Sequence, residues 1–238
     1  MSIPIILMGE SGTGKSYSLR NFDEGDVTVL NVQNKILPFF DRNLETVSIP
    51  DLATKLAGDG GYKPLRVDIV QSYLANHHEK RAVVVDDCGY CISEAFMRWS
   101  TGAEAYDNKY QVYTDIAARI WNLFSAVIED GDATRIVYFV FHEERQQDGT
   151  VDLLTVGKLL NEKLKIRGLV TCTLQSAKEG DKYGFHTNNA NPAKCPPGLF
   201  EDEFIDNDLK AVDSRIREAY RMNDRVDPFA AMRAKVQG

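Results

Sequence analysis

Runs of consecutive apolar residues recur along the chain, separated by segments whose apolar residues repeat at helical spacing. Strands covered on both faces are predicted from the apolar runs at 3–8, 27–32, 82–85 and 135–141, and a shorter strand at 46–49. Helices are predicted over 51–57, 65–78, 106–129, 153–164 and 209–222. This alternation is typical of an α/β fold with a mainly parallel central sheet flanked by helices.

Towards the C-terminus the pattern changes to two short strands around a tight turn. Residues 168–174 and 182–187 flank Glu179-Gly180-Asp181, which predicts an antiparallel β-hairpin extension over about 168–188. We expect residues 1–222 to form a single domain that includes this extension. Residues 223–238 then form a weakly held C-terminal tail.

Composition limits the class of protein but not its chemistry. The 238 residues, 43% hydrophobic and 26% charged, are ordinary for a globular protein with one substantial core. The sequence predicts neither a membrane span nor a signal peptide. Its four cysteines do not indicate a disulfide scaffold and favour a reducing cytoplasm, with Cys88 and Cys91 expected to pack in the core. The net charge of −7 argues against a generally basic surface but leaves room for a local basic groove.

The first apolar run leads directly into a glycine-rich motif. Its residues fit the pattern G-x-x-x-x-G-K-[ST] and are Gly9, Glu10, Ser11, Gly12, Thr13, Gly14, Lys15 and Ser16, followed by Tyr17. Between a strand and a helix N-terminus, such a loop turns its backbone N–H groups onto phosphates. Lys15 is predicted to reach the β- and γ-phosphates of ATP, and the Ser16 hydroxyl to bind Mg²⁺. The alternative is a chance glycine-rich turn.

Two acids follow the apolar run at 82–85, at the strand end where α/β sheets bind ligands. Asp86 is predicted to hold Mg²⁺, directly or through water. Asp87 would orient or deprotonate the attacking water. This is a Walker B arrangement; its structural alternative is an acidic strand-to-loop turn.

The run at 135–141 also ends in polar residues, His142-Glu143-Glu144. His142 is the candidate γ-phosphate sensor, or else a capping or core histidine. Glu143 or Glu144 would supply the water-orienting carboxylate if Asp87 does not. Lys35 is either an ordinary loop cation or a contact to nucleotide or substrate. Lys158 is either a positive finger on the phosphates of a neighbouring subunit or a solvated lysine.

With these motifs in place, the sequence resembles a family of bacteriophage P-loop ATPases. These are RecA-like, AAA-family nucleotide-binding proteins, related to phage recombination and single-strand-annealing ATPases. The resemblance covers about residues 3–222. Beyond the glycine-rich loop it is carried by Asn31-Val32, Lys35, Leu37-Pro38-Phe39, Val85-Asp86-Asp87, Tyr90, His142-Glu143-Glu144, Gly157-Lys158-Leu159-Leu160, Ala193-Lys194, Pro197-Gly198-Leu199-Phe200 and Asp206-Asn207-Asp208-Leu209.

The resemblance implies a RecA-like P-loop fold, ATP and Mg²⁺ as cofactors, and homo-oligomers with nucleotide at the subunit interfaces. It also implies a role in phage DNA recombination, replication or repair in the cytoplasm of a bacterial host, on single-stranded DNA or with a DNA-bound partner protein. In RecA-like ATPases a catalytic glutamate often ends the second strand, where this chain has Gln33 and Asn34. A nucleotide-dependent switch with little turnover therefore remains an alternative to an ATPase. A kinase of a nucleotide or small molecule is a third, separate alternative. DNA would bind the basic set, defined as Lys158, Lys163, Lys165, Arg167, Lys178 and Lys182.

Overall fold

The computed structural model describes residues 1–40, 42–58, 61–101, 104–146, 148–188 and 192–235, without the side chains of residues 158 and 159. In that part of the chain nine strands form one sheet. They are β1 (Ile3–Gly9), β2 (Val27–Asn31), β3 (Glu45–Ser48), β4 (Ala82–Asp86), β5 (Ile136–Arg145), β6 (Val151–Leu153), β7 (Cys172–Glu179), β8 (Lys182–His186) and β9 (Phe204–Asp206).

The spatial order of the strands is β3-β2-β4-β5-β1-β7-β8-β9, and β6 pairs with β5 outside this row. Every neighbouring pair from β3 to β7 is parallel. The pairs β7–β8, β8–β9 and β5–β6 are antiparallel. The mainly parallel α/β sheet and the C-terminal hairpin are therefore confirmed. Strand β5 separates β1 from β4, so the carboxyl ends of these three strands lie side by side.

The helices connect the strands and cover the sheet. They are α1 (Ile49–Ala57), α2 (Arg66–Asn76), α3 (Gly89–Ser100), α4 (Lys109–Glu129), α5 (Lys158–Lys163), α6 (Leu209–Ala219) and α7 (Ala230–Ala234). Short 3₁₀ helices occupy Ser16–Asn21, Ile166–Leu169 and Met222–Asp224. Among the described helices none is long and apolar enough to cross a membrane.

Two apolar cores lie on opposite faces of the sheet. Successive side chains of a strand point to opposite faces, so Ile6 and Met8 of β1 enter one core while Ile5 and Leu7 enter the other. The first core is closed by residues of α1 to α5, and the second by α6 with the 3₁₀ helix after β1. Burial on both faces explains why β1, β4 and the first part of β5 are continuously apolar.

Several elements differ from the sequence prediction. The helix expected after the glycine-rich loop is only the six-residue 3₁₀ helix Ser16–Asn21, so little helix dipole is added to the loop. The helix predicted over 153–164 is reduced to the short α5, because β5 continues to Arg145, the chain turns back through Gly149 at φ 83°, and Leu153 ends the paired strand β6. Helix α3 and strand β9 were not predicted.

The described part of the C-terminal tail, up to residue 235, is packed more firmly than expected. Arg233 of α7 is 6% exposed and forms ion pairs with Asp132, which is fully buried, and with Asp227 at 2.6 Å. Its Nη1 also donates to Thr134 Oγ1 at 2.8 Å. A buried guanidinium with two carboxylate partners ties this segment to the turn before β5, which amphipathic spacing could not reveal.

The cysteines fall into two pairs. Cys88 and Cys91 are buried free thiols at the start of α3, as expected for packing residues. Cys172 and Cys195 are joined as a disulfide, a pairing that the sequence did not predict. The bridge between Thr173 and Lys194, which exchange backbone hydrogen bonds, brings the two cysteines together from distant sequence positions.

Candidate functional site

The glycine-rich loop lies at the carboxyl end of β1, and its glycines are required by its geometry. Gly12 and Gly14 adopt φ of 81° and 93°, in the left-handed region that favours glycine. At Gly9 an added Cβ would stand 2.6 Å from the carbonyl oxygen of Ser176 on the neighbouring β7. The loop therefore has the backbone freedom and the close packing that a phosphate cradle needs.

Lys15 is 6% exposed, and its ammonium contacts its own loop. Nζ donates to the carbonyl oxygens of Gly9 at 2.8 Å and Glu10 at 2.7 Å. Burial lowers the pKa of Lys15, although the nearby carboxylates of Asp87 and Asp86 act in the opposite direction. The partners of the ammonium are thus neutral carbonyls, and an anionic phosphate oxygen would be a stronger acceptor.

Ser16 and Asp86 meet although Ser16 follows β1 and Asp86 ends β4, two strands separated by β5. The Ser16 hydroxyl donates to Asp86, with Oγ 3.0 Å from Oδ1 and 3.1 Å from Oδ2. Burial, and next the charge of Asp87, raises the pKa of Asp86 to about 6. A hydroxyl beside a desolvated carboxylate is a pair of hard oxygen donors suited to Mg²⁺. The described residues contain no group of three or more His, Cys, Asp or Glu that could hold a metal ion.

Asp87 adopts an unusual backbone conformation, and each of its carboxylate oxygens contacts a basic side chain. Its φ is 59°, which is uncommon for a residue other than glycine. Oδ2 lies 2.7 Å from Lys35 Nζ, and Oδ1 lies 3.2 Å from His142 Nε2. Burial would raise the pKa of Asp87, but the hydrogen bonds from His142 and Lys35 prevail and lower it. Asp87 is therefore an ionised acceptor already shared by two side chains.

His142 and Glu143 lie at the end of β5, between the other two strand ends. His142 is directly opposite Gly9 in the β1–β5 register, and its ring packs edge-on against Tyr90 at 6.1 Å between centroids. Glu143 accepts a hydrogen bond from Gln175 Nε2 at 2.9 Å, and burial raises the pKa of Glu143. Glu144 is exposed and faces β6, so the structure separates it from the site.

A cavity of about 430 Å³ opens where these elements meet, a size typical of small-ligand sites. Its walls are Ser11, Gly12, Gly14, Lys15, Ser16, Tyr17, Lys35, Ile36, Pro38, Asp86, Asp87, His142 and Tyr183. The glycine-rich loop, both acids and the histidine are thus brought together. Three other predicted site residues belong to the loop but do not line the cavity: Gly9, Glu10 and Thr13. The Gly9 carbonyl accepts from Lys15, and the Glu10 carbonyl accepts from Thr13 Oγ1. Glu143 lies beside the cavity without lining it.

The structure adds residues that sequence reasoning missed. Tyr183 of β8 forms one wall of the cavity. Ser176 Oγ donates to the carbonyl of Thr13 at 2.7 Å, and Asn207 Nδ2 donates to that of Gly14 at 3.1 Å. Ser176 lies in β7, and Asn207 directly follows β9. No local pattern marked Ser176, whereas Asn207 lies in one of the segments that carry the family resemblance.

The basic set is only partly gathered in space. Lys165 and Arg167 line a groove of about 220 Å³ with Lys194, and Arg167 Nε lies 2.9 Å from Asp152. Lys178 and Lys182 are exposed on the hairpin, with Lys178 Nζ 5.2 Å from the ring centroid of Tyr183. Lys163 is exposed at the end of α5. The side chain of Lys158 lies outside the described residues, so its predicted finger role stays a prediction.

Comparison with known proteins adds little to this geometry. No protein-family profile and no curated protein matches the chain. Among solved structures it is similar to a KaiC-like protein from the hyperthermophilic archaeon Pyrococcus horikoshii, with 11% sequence identity, a TM-score of 0.40 and 82% of each chain covered. A likeness this low carries no argument about activity, which rests on the site itself.

Proposed function

We propose that this protein is a RecA-like, Mg²⁺-dependent ATPase of bacteriophage origin that works on DNA. The observation that carries the ATPase proposal is the contact between Ser16 and Asp86 in the same cavity as Lys15. A glycine-rich loop alone indicates phosphate binding. The hydroxyl–carboxylate pair beside it adds the oxygen donors that a metal–nucleotide complex requires.

Each residue of the site has a distinct part in the proposed reaction. Loop N–H groups and Lys15 would bind the β- and γ-phosphates. Ser16 and Asp86 would hold Mg²⁺, which when bound neutralises phosphate charge. His142, on the strand between the loop and Asp86, would contact the γ-phosphate as its sensor. Catalysis would consist of positioning and charge neutralisation, without a covalent enzyme intermediate.

We assign the attacking water to Glu143 and the support of His142 to Asp87. Oδ1 of Asp87 lies 3.2 Å from His142 Nε2, so this carboxylate orients the imidazole of His142. Gln175 holds Glu143 through Oε2, and this carboxylate is close enough to Lys15 for the two charges to interact. Orienting a water needs an acceptor directed at the reacting phosphate. Glu143 would supply that acceptor from its position beside Lys15.

The DNA part of the proposal rests on the family resemblance and on the exposed lysines of the basic set. RecA-like assembly would place nucleotide at the interfaces of a homo-oligomer, where Lys158 of one subunit would contact the phosphates of the next. Assembly on single-stranded DNA would then follow nucleotide state and serve recombination, replication or repair. A chain of net charge −7 needs such a local basic surface, because its overall field repels nucleic acid.

The test is ATP binding and phosphate release by the wild type and by Lys15→Ala, with and without single-stranded DNA. We expect hydrolysis that requires Mg²⁺ in the wild type. We expect Lys15→Ala to weaken ATP binding at least about 100-fold, because it loses charge-assisted hydrogen bonds worth about 3 kcal/mol. Lys55→Ala, which removes an exposed lysine on α1, is the control. Normal nucleotide affinity in Lys15→Ala would refute the proposal.

A nucleotide-dependent switch with little turnover is the second candidate. It is favoured by two observations. Glu143 does not line the cavity, and the loop after β2 carries the amides Gln33 and Asn34 rather than a carboxylate. If the wild type binds ATP but leaves it intact both with and without DNA, the switch replaces the ATPase.

A further inference from the structure

The segment after β2 holds one lysine at the mouth of the cavity by its backbone. Asn31, the last residue of β2, is 4% exposed. Its side-chain amide forms two hydrogen bonds with the backbone of Lys35, one as donor and one as acceptor. Asn31 Nδ2 donates to the Lys35 carbonyl at 2.6 Å, and Asn31 Oδ1 accepts from the Lys35 N–H at 3.1 Å. Between them the chain reverses at Asn34, whose φ is 56°. A buried amide thus fixes the position of a single residue in an otherwise exposed loop.

The side chain of Lys35 is directed inward from this anchor. It lines the same cavity as Lys15, with Nζ 2.7 Å from Asp87 Oδ2 and 5.2 Å from the ring centroid of Tyr90. The Lys35 side chain is nevertheless 58% exposed, whereas that of Asp87 is 10% exposed. An ion pair that is half in water is weak, so Lys35 can exchange its partner at little cost while its backbone stays in place.

Resting on the ATPase function proposed above, we propose that Lys35 is a second phosphate-binding cation supplied by the same chain. When a nucleoside triphosphate enters the cavity, the Lys35 ammonium moves from Asp87 to the γ-phosphate. A triphosphate brings several negative charges into a cavity whose two carboxylates, Asp86 and Asp87, repel them. Lys15 and Mg²⁺ offset part of this charge. Lys35 is the other lysine among the described cavity residues, and its departure leaves the second oxygen of Asp87 available.

This role makes a prediction that simple charge neutralisation does not. A lysine that only balances Asp87 affects diphosphate and triphosphate binding alike, because the acid is present in both complexes. A lysine that binds the γ-phosphate favours the triphosphate selectively. The ratio of the dissociation constants for ADP and for a non-hydrolysable ATP analogue therefore separates the two roles without requiring turnover.

The experiment measures both dissociation constants, with Mg²⁺, for the full-length wild type, Lys35→Ala and Lys35→Arg, with Lys55→Ala as the matched control. We expect Lys35→Ala to weaken binding of the triphosphate analogue about 10-fold, as expected for loss of one charge-assisted hydrogen bond, and of ADP by less than about 2-fold. Lys35→Arg should retain most of the discrimination. Asn31→Ala, which keeps the lysine but removes its anchor, should show the same selective loss to a smaller degree.

The outcomes distinguish this inference from the function on which it rests. If the wild type binds neither nucleotide, the ATPase proposal fails and this inference fails with it. If the wild type binds both, but Lys35→Ala changes the two affinities equally or not at all, only the inference is overturned, and Lys35 is then a partner of Asp87 alone. Circular dichroism and thermal melting confirm that each variant is folded before its affinities are compared.

Discussion

Replacing Asp86 by asparagine is expected to stabilise the nucleotide-free protein, by an amount that depends on pH. The reference pKa of this carboxyl is 3.8, and burial followed by the charge of Asp87 raises it to about 6 in the folded protein. Asparagine removes the buried charge but keeps an oxygen that accepts from the Ser16 hydroxyl. Metal-binding carboxylates that are left without their ion commonly reduce stability in this way.

The sign follows from proton linkage. Well below its reference pKa, Asp86 is protonated in both the folded and the unfolded state and contributes nothing. As the pH rises towards about 6, the unfolded state loses this proton first, so the free energy of unfolding falls. Above about 6 the loss is complete, and the difference between the two pKa values corresponds to about 3 kcal/mol.

The assay is chemical denaturation of the wild type and Asp86→Asn near pH 5 and near pH 8, with divalent cations chelated. Comparing the two proteins at each pH cancels the contribution of the other titrating groups. The advantage of Asp86→Asn should grow by about 1–2 kcal/mol between these conditions, since part of the penalty is already present near pH 5. Asp181→Asn, which removes an exposed carboxylate from the β7–β8 turn, is the control.

A stability difference between Asp86→Asn and the wild type that stays constant or shrinks with pH would refute the reasoning. It would mean that burial does not disfavour the ionised carboxylate of Asp86. Addition of Mg²⁺ and ATP should reduce the advantage of Asp86→Asn. Ligand at 100 times its dissociation constant stabilises the wild type by about 2.7 kcal/mol, and this gain should be smaller in Asp86→Asn, which lacks the charge of the proposed metal ligand.

Two further predictions concern the tail and the basic set. Arg233→Ala should lower the free energy of unfolding by about 3–5 kcal/mol, because it removes the ion-pair partner of the buried Asp132. Chemical denaturation measures this change. An effect as small as that of the exposed control Lys235→Ala would contradict the prediction. Reversing the charge of the four exposed lysines of the basic set should weaken single-stranded DNA binding. The slope of the logarithm of the binding constant against the logarithm of the salt concentration should fall in magnitude by about 0.7 for each lost phosphate contact. An unchanged affinity and slope, as expected for the control Lys55→Glu, would remove the support for DNA binding.

The local signals in the sequence were sufficient for the main elements of the site. Continuous apolar runs predicted the buried parallel strands, because a strand covered on both faces has no polar side to display. Fixed spacing predicted the glycine-rich loop, because left-handed turns at Gly12 and Gly14 and a following Lys15 are local requirements. Acids directly after a buried strand predicted that Asp86 would lie at the ligand-binding edge of the sheet.

Relations between distant segments were decided only by the tertiary structure. The strand order places β5 between β1 and β4, and this alone brings His142 to Asp87. The same sheet brings Asn207, which directly follows β9, against the glycine-rich loop. Lys35 has no local pattern that separates it from a solvated lysine, since its role depends on Asn31 and Asp87. Sequence periodicity reports which face of an element is buried, whereas strand order and packing determine which side chains meet there.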